Sequence, residues 1–134
     1  MIPIAKILAP KQIVWENDRV QFEESYFSQS VEIRYSDMVV AYPVTFDRKK
    51  GEWKKLSVSE IGDDVPGYVV IYDRWHSVYE IRLMYMPLTA GEFLIDLAWH
   101  SGQTYIGYDD WIASMLDEKN FEELVHMVSV MAES

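Results

Sequence analysis

Apolar and polar positions alternate most regularly over residues 68–100, YVVIYDRWHSVYEIRLMYMPLTAGEFLIDLAWH. Three runs rich in β-branched and aromatic residues are separated by two turn-like breaks, which predicts three consecutive antiparallel strands. With Met86 set opposite Glu92 across residues 87–91, Tyr85 faces Phe93, Leu83 faces Ile95, Ile81 faces Leu97 and Tyr79 faces Trp99. Every pair is apolar, and alternation puts them all on one side of the sheet. A first hairpin turning at His76 and Ser77, or over residues 74–77, adds Tyr68, Val70 and Tyr72 to that side. This is the expected core, because a one-residue slip would turn the whole set outward.

The opposite side of the expected meander is mixed: Ile71, Asp73, Glu80, Arg82, Met84, Leu94, Asp96 and Ala98, with His100 near its end. In the same register Arg82 faces Asp96, an opposite-charge pair worth about 0.2–1 kcal/mol. Polar groups converge here, so Asp73, Glu80, Arg82, Asp96 and His100 are the candidate residues for contact with a ligand or partner. The Arg82 cation opposes any mutual pKa elevation among the carboxylates and disfavours a metal. His100 and Asp96 lie four residues apart, about 13 Å along a strand. A triad of Ser101, His100 and Asp96 is therefore geometrically poor.

Shorter patterns fill the rest. In QIVWENDRVQF a two-residue turn at Asn17 and Asp18, with both at positive φ, sets Glu16 opposite Arg19, Trp15 opposite Val20 and Ile13 opposite Phe22. Residues 31–35 alternate as a half-buried strand, Ser36 and Asp37 turn, and MVVAYPVTF follows. Pro43 cannot donate to a ladder, which predicts an edge or bulged strand. Residues 47–51 turn with Gly51 in a left-handed position, and residues 52–58 return as a strand. Ser57 and Glu60 fit a capping box ahead of a loop at 62–67. Residues 103–108 form a last short strand. The period then changes: Asp109 or Asp110 caps a helix through Trp111, Ile112, Met115 and Leu116. Asn120 caps a second, with Phe121, Leu124, Val125 and Val128 at helical spacing.

About eight strands followed by two helices predict a single α+β domain over residues 1–134. The expected form is a strongly bent antiparallel β-sheet, or a partly closed barrel, with two C-terminal helices. At 134 residues, 49% hydrophobic and 25% charged, the chain is long enough to bury a core unaided. It has no cysteine, which excludes disulfides and thiolate chemistry. The start, MIPIAKILAP, lacks the basic opening and long apolar stretch of a signal peptide. No uninterrupted apolar run reaches membrane-spanning length, so a cytoplasmic protein is expected.

The formal charge is −10, from 22 acidic against 12 basic residues. Such a balance disfavours general nucleic-acid and membrane binding and suits a basic protein partner. Against that background Arg48, Lys49, Lys50, Lys54 and Lys55 form a basic hairpin, a guard on an exposed edge strand or, second, a candidate contact for an acidic partner or phosphate. Glycine-rich phosphate loops, GxSxG, HExxH and CxxC are absent, so no cofactor or metal and no catalytic residue is expected. Aromatic residues are plentiful, and Trp53, Trp75, Trp111 and Tyr26 are candidates for exposure. The expected function is a non-enzymatic, acidic protein-interaction module: an inhibitor, immunity or antagonist protein, or a subunit of a larger, even viral, assembly. The alternatives are a small-molecule binder or small enzyme using the carboxylate and Arg82 cluster on a concave sheet, and a nucleic-acid mimic.

Overall fold

The computed structural model describes residues 5–24, 30–47, 49–56, 67–107, 116 and 120–133. Along them run strands β1 (Ala5–Leu8), β2 (Gln12–Trp15), β3 (Arg19–Glu23), β4 (Val31–Arg34), β5 (Met38–Asp47), β6 (Glu52–Lys55), β7 (Tyr68–Asp73) and β8 (Val78–Arg82). Helix α1 (Ala90–Ser101), strand β9 (Ile106–Gly107) and helix α2 (Phe121–Glu133) complete the order. The fold is α+β, as expected, with two sheets. The larger has the order β1-β8-β7-β5-β6 with β9 also on β5, and the smaller is β2-β3-β4. Pairing is mostly antiparallel; β1 joins β8, and β9 joins β5, in parallel.

The first hairpin has the register read from its apolar residues, with Ile13 opposite Phe22 and Trp15 opposite Val20. Its turn differs. Asn17 and Asp18 both keep negative φ. The loop is held from outside instead: Tyr35 donates its backbone N–H to the Asp18 carbonyl at 3.0 Å and its hydroxyl to the Glu16 carbonyl at 2.8 Å. With those bonds the mirror-image turn is unnecessary.

Strand β5 is interior rather than at an edge. It pairs with β7 over residues 38–43, with β9 at Val40 and Ala41, and with β6 over residues 44–47. Pro43 lies opposite Val69 of β7 and one residue beyond Val44, the last paired residue of the β6 ladder, which its missing N–H brings to an end. Its carbonyl accepts from Leu56 N–H at 3.1 Å. The register does shift in this strand, but between Met38 and Val40.

Two further corrections concern the meander. Asp73 and Ser77 flank a three-residue loop in which His76 takes φ 63°. Asp73 donates its N–H to Ser77 O at 3.0 Å, and His76 donates its N–H to Asp73 O at 3.3 Å. This is a tight turn followed by a left-handed residue. An odd loop shifts the parity that an even loop would have set. Ile71 therefore lies opposite Tyr79 and Val69 opposite Ile81, while Tyr68, Val70 and Tyr72 point to the other side. The third expected strand is helix α1. Thr89 accepts from Glu92 N–H at 3.1 Å while the Glu92 side chain accepts from Thr89 N–H, and Gly102 ends the helix at φ 68°. Ala90, Phe93 and Leu97 are buried at helical spacing.

The larger sheet is covered on both sides. One core joins Val69, Ile71, Tyr79, Ile81 and Leu83 to Phe93 and Leu97 of α1 and to Val20, Phe22 and Ile33 of the smaller sheet. The other joins Val40, Tyr42 and Val44 to Phe121, Leu124 and Val128 of α2, the stripe expected for that helix. Of the expected helix through Trp111, Ile112, Met115 and Leu116 only Leu116 is described, a bend residue partly buried against the second core; the rest of that helix and the capping box at 57–60 lie outside the described residues.

Candidate functional site

The five residues expected to converge are dispersed. Asp73 is buried and belongs to the hairpin: its Oδ1 accepts from Trp75 N–H at 2.9 Å and Ser77 N–H at 2.8 Å, and its Oδ2 accepts from the Tyr79 hydroxyl at 3.4 Å. Glu80 and Arg82, two apart on β8, share the side of the sheet that faces away from α1 and pair at 3.3 Å. Asp96 and His100 sit on α1, so the expected strand-to-strand pairing of Arg82 with Asp96 does not exist. The helix and the odd hairpin loop together undo the shared polar face.

His100 has a different role. Its ring stacks on Trp15 with centroids 4.8 Å apart and planes 6° from parallel, tying the last turn of α1 to β2. Of the basic hairpin, Arg48 lies outside the described residues. Lys49, Lys50, Lys54 and Lys55 are exposed, and β6 is indeed the last strand of its sheet. Lys55 also lies over the Tyr42 ring, 5.7 Å from its centroid. That placement suits lysines that guard a sheet edge.

One cleft, about 370 Å³, opens between the two sheets. Arg19, Glu32 and Arg34 line it from the smaller sheet, and Asp73, Trp75 and Tyr79 from the β7–β8 hairpin. Its charges are largely engaged with one another. Arg19 donates Nε and Nη2 to the Asp18 carboxylate at 3.1 and 2.9 Å, and Nη1 to Glu32 at 2.9 Å. These bonds hold the Glu32 and Asp18 carboxyls below their usual range. A carboxyl so held is a poor proton donor at neutral pH. Burial, and then the nearby Asp73 charge, push the Tyr79 hydroxyl up, so it stays a neutral donor. Among the described residues no group of three or more His, Asp or Glu side chains could hold a metal ion. Along the cleft, Arg19 forms an ion-paired seam with Glu32 and Asp18.

The other conspicuous surface is apolar. Strand logic placed Tyr85, Ile95 and Trp99 in the core, yet they are 61%, 70% and 83% exposed. Residues 93, 95, 97 and 99 alternate buried and exposed every second position, a four-residue repeat that fits a helix and excludes a strand. The signals were present in the sequence: Thr89 and Glu92 at capping-box spacing, Ala90, Phe93 and Leu97 at helical spacing, and Gly102 beyond. Trp75 is exposed, as expected, at 71%. Trp111 and Tyr26, and the Trp53 side chain, lie outside what is described. Compared with family models, curated proteins and solved structures, the chain matches none.

Proposed function

We propose that this chain is a non-catalytic protein-interaction module whose partner presents a basic surface. The observation that supports it best is the pairing of a net charge of −10 with large apolar side chains left in water, Met84, Tyr85, Ile95 and Trp99 among them. Exposed aromatic and aliphatic groups gain by covering, and acidity selects which covering protein approaches fastest. The engaged state of the charges around Arg19 argues in the same direction. A small-molecule site that needs Arg82 opposite Asp96 has less support, since Glu80 and Arg82 pair with each other on β8 while Asp96 lies on α1 and Asp73 caps the β7–β8 loop.

The test is capture by the immobilised chain from an extract of its own host, at low and high salt. A specific basic protein that is retained at low salt and lost at high salt is the expected result. Retention of no macromolecule, together with thermal stabilisation by a metabolite, would overturn the reading in favour of a small-molecule binder.

A further inference from the structure

We infer that the outward side of α1, carrying Glu92, Ile95, Asp96 and Trp99, is the docking surface, and that its occupant is an apolar groove rimmed by lysine or arginine on a partner protein. The inference rests on the reading just given and makes it specific. Ile95 and Trp99 are one helical turn apart, about 6 Å along the axis, and so project together. Glu92 precedes Ile95 by three positions and Asp96 follows it by one, so carboxylates border the two apolar anchors. AGEFLIDLAWHS contains no lysine or arginine, so the formal charge of α1 with neutral His100 is wholly negative.

The helix is also presented rigidly. Its first turn is closed by the Thr89–Glu92 box, and its inward side is locked by Phe93, whose ring lies 5.6 Å from Trp15 and 6.1 Å from Phe22. Its end is clamped by His100 on Trp15, and its middle by the Tyr105 hydroxyl, which donates to Leu94 O at 3.5 Å. An element already ordered loses little freedom on binding, and a protruding tryptophan is the residue type that most often dominates interface energetics. Helix-in-groove recognition reads anchors at this spacing.

Charge complementarity chooses the occupant. An anionic lipid surface would be repelled by Glu92 and Asp96. A second copy would set the same carboxylates against one another across a two-fold axis, with −10 on each chain. A groove with a cationic rim satisfies both the apolar pair and its acidic border.

The experiment compares the full chain with Trp99→Ser, with the double variant Glu92→Gln/Asp96→Asn, and with Trp75→Ser as an exposed-aromatic control. The protein captured by the wild type is identified, purified and titrated against each by calorimetry at two salt concentrations, with circular dichroism confirming that every variant is folded. Trp99→Ser should weaken the complex about 30-fold or more, as removal of a central aromatic anchor does. The double variant should flatten the salt dependence, and Trp75→Ser should bind as the wild type does. A captured basic protein that binds Trp99→Ser unchanged overturns this surface while leaving the general reading intact. Capture of no basic protein overturns both. Sedimentation showing a dimer that Trp99→Ser dissolves, or wild-type binding to phosphatidylserine vesicles lost in the same variant, assigns the face to a second copy or to a membrane and overturns the inference.

Discussion

The Asp73 carboxylate accepts the Ser77 backbone N–H at 2.8 Å, and with the return bond from Asp73 N–H to Ser77 O at 3.0 Å it closes the loop that decides which side of the sheet each β7 residue occupies. Its Oδ1 also holds Trp75 N–H. Asp73→Ala would leave two part-buried backbone donors without their acceptor and should cost about 1–3 kcal/mol. Asp73→Asn keeps an acceptor oxygen and should cost less. Urea unfolding of the two variants measures the difference; equal stability of Asp73→Ala and wild type would show that the loop closes without its carboxylate.

Leu97 and Trp99 separate the helix from the strand it resembles. Leu97 is buried and Trp99 is exposed, although alternation would put them on the same side. Leu97→Ala should cost about 2–5 kcal/mol, and Trp99→Ala should fall within about 0.5 kcal/mol of wild type. A large loss for both, read by thermal or urea unfolding, would restore the strand.

The start of α1 depends on Thr89. Its hydroxyl oxygen accepts from Glu92 N–H at 3.1 Å, and Thr89→Ala should remove about 1 kcal/mol. Amide hydrogen exchange at Glu92 should quicken in the variant while that at Ile81 in β8 is unchanged.

At alkaline pH the buried tyrosines matter. Burial pushes the Tyr105 hydroxyl up to about 12, from an ordinary value near 10. The folded state therefore holds this proton where the unfolded chain releases it. Its stabilising contribution is complete below the unfolded value and is lost as pH rises from about 10 toward 12. Tyr105→Phe, which cannot ionise, should show a shallower fall of unfolding free energy across that window. An unchanged slope would mean that Tyr105 does not titrate differently in the two states.

On the acid side the sign reverses. Hydrogen bonds from Arg19 depress the Glu32 and Asp18 carboxyls, so their contribution is present above the unfolded values and lost as pH falls through the folded ones. Arg19→Gln should move both titration midpoints upward toward ordinary carboxyl values, as followed by side-chain NMR. Both carboxyls face solvent, so the readout is the midpoint rather than stability.

Local pattern was enough wherever the physics is local. The alternation of Ile13, Trp15, Val20 and Phe22 set the first hairpin's register, the spacing of Phe121, Leu124 and Val128 set the buried stripe of α2, and the α+β class followed from the order of such segments. It failed over residues 83–101, where Phe93, Leu97 and their neighbours satisfy period two and period 3.6 at once. There the deciding groups were the caps at Thr89, Glu92 and Gly102 and the packing of Phe93 on Trp15 and Phe22, partners more than 70 positions away. The β7–β8 hairpin failed for a smaller reason, one residue in the loop count, settled by where the Asp73 carboxylate finds its donors. Composition alone determined that the chain is acidic, free of cysteine and without a recognised catalytic motif. Only the tertiary structure decided that Asp73 and Asp96 stand apart from the Glu80–Arg82 pair and that Ile95 and Trp99 reach water, because side-chain direction depends on which backbone period long-range packing selects.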